Sequence, residues 1–170
     1  MRVTIRPPRG DDRDAFLAAV RRSRTLHRPW VHPPATPAAF RAYIGRAASG
    51  TSALFLAFEA ATDELVGVVN VSEIVRGVFR SAYLGYYGFL PHAGRGYMTE
   101  ALTLVIARAF GPMKLHRLEA NVQPRNRASI ALVRRLGFMR EGYSKRYLKI
   151  GGRWRDHERW ALLAEDWKRR

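Results

Sequence analysis

The chain of 170 residues contains no cysteine. That absence removes a disulfide framework, a thiolate metal site and a cysteine nucleophile together, and it suits a reducing cytoplasm. No run of 18 apolar residues occurs, and the N-terminal segment has no apolar core leading to a small-residue cleavage site. Neither a membrane span nor a secretory leader is expected. Lysine is nearly missing too, with four lysines beside 26 arginines. There is no lysine-bearing phosphate loop G-x-x-x-x-G-K-[ST] and no G-x-S-x-G elbow, and the histidines at 27, 32, 92, 116 and 157 form no H-x-x-x-H pair. Phosphate-loop nucleotide chemistry, an elbow-type serine hydrolase and a metal site are therefore not expected.

What remains is apolar and basic. Hydrophobic residues make up 47% of the chain, with eight Phe, seven Tyr and four Trp spread along it, enough for one full core and a single domain over residues 1–170. The formal net charge is +16, and its distribution matters more than its size. Between Lys114 and Arg155, twelve Lys or Arg stand against two acids, Glu119 and Glu141. Such a concentration implies an anionic cofactor, an RNA-rich partner, or both; a solvated surface in an arginine-rich chain is the plain alternative.

Periodicity divides the chain into strands and helices. Val3–Arg6 alternates as a short strand, and Asp11-Asp12 is placed to cap a helix carrying Phe16, Leu17 and Val20 on one face. Thr36 before Pro37 opens a second helix with Phe40, Tyr43 and Ile44. Between them, residues 28–34 include three prolines and read as an exposed loop. Strand-like runs at 53–59, 65–74 and 79–90 predict an antiparallel meander. A helix with Met98, Leu102, Val105, Ile106 and Ala109 on one stripe follows and ends near Gly111-Pro112. Then come a strand at 117–122, a helix over 126–136 closed by Gly137 and Phe138, and strands at 143–150 and 154–163 joined by Gly151-Gly152.

The most informative stretch is Leu84 to Leu102, where a strand, a Gly-x-Gly turn and an amphipathic helix follow one another directly. Gly94 and Gly96 carry no Cβ, so the backbone can approach a ligand closely and adopt positive φ. The helix start points unpaired N–H groups and the positive end of its dipole into the turn. Each charge-assisted hydrogen bond contributes roughly 1.5–3 kcal/mol and the helix end roughly 0.3–1 more, so three or four amides suffice for a diphosphate without lysine. The dinucleotide fingerprint G-x-G-x-x-G fails at Thr99. An ordinary strand-to-helix turn has the same composition.

Element order and two motifs resemble the GNAT superfamily of N-acetyltransferases over essentially the whole chain. The superfamily's Q/R-x-x-G-x-G/A loop aligns with Ala93-Gly94-Arg95-Gly96-Tyr97-Met98, and its Asn, Ser, Leu and Gly-Phe segment with Asn126, Ser129, Leu132 and Gly137-Phe138. The stretches at 94–102, 136–143 and 152–157 look most like the ribosomal-protein-alanine N-acetyltransferases of the RimJ type, a branch that acetylates the α-amine of a small-subunit ribosomal protein. Ala93 and Met98 depart from the loop pattern; backbone contacts tolerate both, and the side-chain contact at 93 is lost.

The resemblance implies an α/β (α+β) fold, with a mixed, mostly antiparallel seven-stranded sheet splayed at its centre between Phe89 and Arg117 and helices on both faces. It also implies acetyl-CoA in the opening and no metal. By carry-over, Gly94, Arg95, Gly96, Tyr97, Met98 and Thr99 hold the diphosphate, while Phe89 and Leu90 pair with the pantetheine amides in strand-like fashion. Asn126 bonds the pantetheine arm, and Arg134 takes the 3′-phosphate or is simply solvated. Ser129 protonates the leaving thiolate, and a backbone N–H near Phe89 or Leu90 meets the oxyanion. Asn126 and Ser129 read alternatively as a helix N-cap and its third-position partner. Glu73 is the candidate base through a water, or else a surface strand residue. In the ribosomal branch that modifies a different protein a glutamate base stands where this chain has Leu148, so that role does not transfer. His157 beside Asp156 reads as a structural pair, and Tyr83, Tyr86, Tyr87, Tyr143 and Tyr147 as sheet packing, with one or two lining an acceptor groove.

The lack of a strong base bears on the acceptor. An α-amine of pKa near 8 is roughly a quarter neutral at pH 7.5 and a lysine near 10.4 about 0.1%, a gap of about 3 kcal/mol. The expected reaction is direct acetyl transfer to a protein N-terminus. Two other readings stay open: a non-enzymatic ribosome- or RNA-associated protein using the basic 114–155 region, and an acetyltransferase for a small-molecule amine. A homo-oligomer is also open.

Overall fold

The computed structural model describes residues 1–168. Its elements are β1 (Val3–Arg6), α1 (Arg13–Arg22), α2 (Arg24–His27), α3 (Pro37–Gly45), β2 (Ala53–Glu59), β3 (Leu65–Val75), β4 (Ser81–Gly88), α4 (Tyr97–Phe110), β5 (Arg117–Val122), α5 (Arg127–Arg135), β6 (Met139–Ile150), β7 (Arg153–Leu163) and α6 (Ala164–Lys168). The strands form one seven-stranded sheet in the order β1-β2-β3-β4-β5-β7-β6, parallel only between β4 and β5. This is the mixed, mostly antiparallel arrangement expected from the resemblance.

The alternation of β2 explains why helices cover both faces. Leu54, Leu56 and Phe58 share a core with Phe16 and Val20 of α1 and with Phe40 and Tyr43 of α3. Phe55 and Ala57 point the other way and share a core with Leu102, Val105 and Ile106 of α4. Each fully buried Phe, Leu or Ile contributes about 1.5–3 kcal/mol of transfer free energy, so both layers are held by apolar burial.

Parallel pairing of β4 with β5 covers only Ser81, Ala82 and Tyr83, opposite Arg117, Leu118 and Glu119. Beyond Tyr83 the strands part. Residues 84–88 stay paired with β3, and β5 stays paired with β7, so the edges facing each other across the gap have no strand partner. Backbone N–H and C=O groups there await one. The splay therefore lies between residues 84–88 and the end of β5, and Arg117, expected at its rim, sits in the paired part.

Local signals account for most boundaries. Thr36 Oγ1 accepts the Ala39 N–H at 3.1 Å, with Pro37 as the first residue of α3. After α5, Gly137 N–H donates to Arg134 O and Phe138 N–H to Val133 O, both at 3.0 Å, a Schellman closure with Gly137 at φ +90°. Gly151 and Gly152 hold φ of +57° and +76°, as a two-residue hairpin turn requires.

Other boundaries differ from expectation. Asp12 makes no side-chain cap to α1; its carboxylate turns back to the Arg6 guanidinium and the Arg9 N–H, closing the short 3-10 turn at Gly10–Asp12. The short α2 and α6 have too few turns to show periodicity. β4 begins at Ser81, after Arg80 at φ +42°, and ends at Gly88, before Pro91. β6 already starts at Met139; as an edge strand, mostly exposed and bulged at Glu141, it has no apolar alternation to read. Residues 28–34 are a loop, yet Trp30 and Val31 fold inward. No helix among the described residues is long and apolar enough to cross a membrane.

Candidate active site

Gly94 and Gly96 hold φ of +78° and +87°, conformations that only glycine adopts without strain, and Gly96 is the N-cap residue of α4. The Thr99 and Glu100 N–H groups turn back to the Gly96 carbonyl at 3.0 and 3.3 Å. Among the described residues no hydrogen bond uses the backbone N–H of Gly94, Gly96, Tyr97 or Met98. Four amides thus stay available at the positive end of α4, which suits a diphosphate.

The turn is braced from behind. Arg2 Nη2 donates to the Arg95 carbonyl at 3.2 Å and pairs with Glu100 at 2.7 Å, and its guanidinium lies 4.6 Å from the Tyr97 ring centroid. The Tyr97 hydroxyl donates to Glu59, which also accepts from Thr62. Those bonds hold the Glu59 carboxyl below its ordinary pKa. His92 Nε2 lies 3.0 Å from Glu64. Glu59, Glu64 and His92 bring one ligand atom each within 4.8 Å of one another, a grouping that sequence spacing does not show and that the expectation of no metal site did not foresee. Its carboxylates are already engaged with Tyr97, Thr62 and His92, which makes it a clamp on the turn. The Met98 side chain lies over Gly67 and Gly88, which face each other across β3 and β4. That glycine pair makes room for methionine where the motif has a small residue.

In front of the turn a cavity of about 420 Å³ fills the splay. Its α4 and α5 wall includes Gly94, Gly96, Met98, Thr99, Asn126, Ser129 and Arg135; its floor is residues 84–88 and 121–123. α2 and the following loop add Leu26, His27, Trp30 and Val31, while β6 and β7 add Leu148, Ile150 and His157.

Asn126 Oδ1 accepts the Ser129 N–H at 3.2 Å, so it does cap α5, and its amide nitrogen is left for a ligand. Ser129 Oγ lies 2.7 Å from the Tyr86 hydroxyl. Burial pushes the Tyr86 phenol up to about 12, against the Ser129 hydrogen bond, so it keeps its proton at neutral pH. With Tyr86 donating to Ser129, the serine proton is free to point into the cavity. Tyr87 OH and Asn121 Oδ1 are buried in the wall without partners among the described residues. Burial holds both His27 and His157 below the ordinary histidine pKa, each opposed by a backbone hydrogen bond.

The structure gathers Gly94, Gly96, Met98, Thr99, Asn126 and Ser129 around one cavity, with Arg95 and Tyr97 on the far side of the turn. It does not bring the other candidates there. Phe89 N–H donates to Val66 O at 2.9 Å and Leu90 N–H to Ser23 Oγ at 2.9 Å, so neither amide is left for pantetheine or an oxyanion. The free edge of residues 84–88 is the backbone that faces the opening instead. Glu73 is exposed on the β3 bulge at φ +50° and does not line the cavity. Arg134 points away, whereas Arg135 lines the wall with Nη1 3.4 Å from Thr99 Oγ1. Asp156 bonds the Tyr143 hydroxyl and the Arg146 N–H, not His157, which corrects the expected pair. Tyr86 and Tyr87 line the cavity, as expected of one or two of the sheet tyrosines, whereas Arg135, His27 and His157 are site residues that sequence reasoning missed.

The family model described as "Acetyltransferase (GNAT) domain" matches residues 2–139. The [Ribosomal protein uS5]-alanine N-acetyltransferase of Escherichia coli is 38% identical over 166 residues, 92% of this chain and 86% of that protein. The probable N-acetyltransferase YjcK of Bacillus subtilis is 43% identical over 109 residues, 64% of this chain and 60% of that protein's length. Among solved structures, Mycobacterium smegmatis RimJ in complex with CoA-disulfide superposes with a TM-score of 0.88 at 30% identity, covering 96% of this chain and 82% of that one. A spermidine N-acetyltransferase from Vibrio cholerae, in complex with CoA and spermine, shares the fold at a TM-score of 0.83 and 20% identity over 98% of each chain.

Proposed function

The chain belongs to the GNAT family of acetyltransferases and is an acetyl-CoA-dependent enzyme, and on that premise we propose that its acceptor is the α-amine of a protein N-terminus, a small-subunit ribosomal protein first among candidates. One observation carries this: among the described residues, none that lines the cavity is Asp or Glu. A polyamine brings several ammonium groups, and burying each without a carboxylate costs several kcal/mol, with Arg135 adding like charge. A peptide N-terminus brings one amine of pKa near 8. Its following backbone can pair with the strand edges that the splay leaves open. Leu26, Trp30, Val31, Leu148 and Ile150 supply apolar wall for its first side chains.

Acetyl-CoA supplies the acetyl group as an activated thioester. The free amides of Gly94, Gly96, Tyr97 and Met98 hold the diphosphate, Arg135 adds positive charge beside Thr99, and Asn126 with the free edge of β4 aligns the pantetheine arm. The amine attacks directly, with no acyl-enzyme. Ser129, held by Tyr86, gives the departing sulfur its proton. The single seven-stranded sheet supports one catalytic domain across the described residues. In the basic 114–155 region both acids are spent on Arg117, and all the cations except Arg117 and Arg155 are exposed, which supports contact with ribosomal RNA.

Thiol release from acetyl-CoA tests the acceptor, with a synthetic peptide beginning in alanine against spermidine. A kcat/KM higher for the peptide by about 10²-fold is expected, and preference for spermidine overturns the reading. Mass spectrometry of ribosomal proteins from a deletion strain then identifies the protein that loses its N-terminal acetyl group.

A further inference from the structure

His157 is 2% exposed and lines the cavity from β7. Its Nδ1 lies 2.9 Å from the Arg155 carbonyl oxygen. A carbonyl only accepts, so Nδ1 carries the hydrogen and Nε2 holds the lone pair. Among the described residues Nε2 has no hydrogen-bond partner. The titratable and charged groups around the ring are Asp156 on its own strand, Tyr147 of β6 with ring centroids 6.3 Å apart, and His27, Tyr86, Tyr87, His92 and Arg135 elsewhere on the wall. The Asp156 carboxylate is turned to Tyr143 and Arg146, and no Asp or Glu among the described residues lines the cavity. The other cavity imidazole is differently placed: His27 bonds the Gly88 carbonyl through Nε2 at 2.9 Å, and its ring centroid lies 5.3 Å from Tyr87 and 5.6 Å from Phe89, an anchor for the end of β4.

The geometry points to His157 as the base that deprotonates the acceptor amine. The bound ammonium gives one proton to Nε2 and becomes nucleophilic. Its nitrogen bonds to the acetyl carbon, the C–S bond breaks, the nitrogen sheds its second proton and the sulfur gains one through the Ser129–Tyr86 pair. The products are an N-acetyl amide, a thiol and one proton that leaves His157 for solvent. The assignment rests on the N-terminal acceptor proposed above. A neutral imidazole is a competent base for an ammonium of pKa near 8, whereas a lysine-like amine near 10.4 lies far beyond it.

The test is kcat/KM for the alanine peptide, for the wild type and His157→Gln, from about pH 6 to about pH 9.5. The variant is expected to lose about 10²-fold near pH 6.5, typical of a removed base, and the gap should close to within about threefold once the amine is neutral without help. A positioning or packing role gives a ratio that does not change with pH, and that result, with acetyl-CoA binding by calorimetry retained, overturns the assignment. If His157→Gln fails to bind acetyl-CoA, His157→Ala with added imidazole carries the test: rescue by the neutral form of imidazole supports the base, and no rescue overturns it. A wild type that acetylates no N-terminal peptide at any pH overturns the acceptor itself, and the base assignment with it.

Discussion

The Tyr86 hydroxyl lies 2.7 Å from Ser129 Oγ, which joins the open edge of β4 to the first turn of α5 across the gap in the sheet. Each side chain is positioned by a different element, and neither hydroxyl would reach its partner if β4 and β5 stayed paired to their ends. Two groups sharing one proton path should fail as a unit. Ser129→Ala is expected to lower kcat by about 10²-fold with acetyl-CoA affinity nearly unchanged, and Tyr86→Phe by less. The double variant should cost little more than Ser129→Ala alone. Steady-state kinetics with calorimetry checks this, and fully multiplicative losses would show that the two hydroxyls act separately.

Adjacent arginines on α5 should differ in their effect on the donor. Arg135 lines the cavity beside Thr99, so Arg135→Gln is expected to weaken acetyl-CoA binding about 10-fold, the worth of one charge-assisted hydrogen bond. Arg134→Gln, on the solvent side, should change affinity less than about twofold. Calorimetry on both variants decides, and the reverse order would return the phosphate role to Arg134.

Met98 occupies space that Gly67 and Gly88 leave empty, and a Cβ at Gly67 would collide with its sulfur. Gly67→Ala is expected to destabilise the fold by roughly 1–3 kcal/mol through overpacking. Adding Met98→Ala should recover part of that loss, because it removes the clashing atoms. Urea denaturation of the two single variants and the double variant measures the coupling, and strict additivity would contradict the contact.

Asp12 provides a pH-dependent term. Burial opposes its ionised form, but hydrogen bonds from Arg6 and the Arg9 N–H outweigh burial and hold its pKa below the ordinary value. A depressed folded-state pKa means stabilisation present above the unfolded value, about 3.9, and lost as pH falls through the lower folded value. Asp12→Asn should therefore cost roughly 1–3 kcal/mol at pH 7 and less near pH 3. Thermal denaturation at both pH values tests it, and an equal loss at both would assign the effect to packing.

Most of the fold was legible because its signals are local. The Thr36-Pro37 start, the Gly137-Phe138 closure and the Gly151-Gly152 hairpin each depend on residues in contact with their chain neighbours, and each appears in the structure where the spacing put it. The first four residues of β6 and the short α2 and α6 escaped notice for the opposite reason: the exposed start of an edge strand and helices of one or two turns leave no periodic stripe. The candidate site divided along the same line. Gly94, Gly96, Asn126 and Ser129 lie on consecutive-element motifs and converge on the cavity. Glu73 and Arg134 were inferred from their strand or helix alone, and the bulge at Ser72 in one case and the helix rotation in the other carry them away from it.

By itself, the sequence determined which segments fold as strands and helices, where the turns with positive φ fall, and that a helix start with free amides follows β4. These are properties of dihedral preference and hydrophobic period, settled within a few residues of chain. Only the tertiary structure decided which amides remain free, because Phe89 and Leu90 spend theirs on Val66 and Ser23, distant in sequence. It also decided that no Asp or Glu among the described residues lines the cavity and that His157 turns Nδ1 to the Arg155 carbonyl while its ring lines the cavity. Hydrogen-bond partners and burial are set by what the sheet brings alongside, and no local pattern along the chain encodes that.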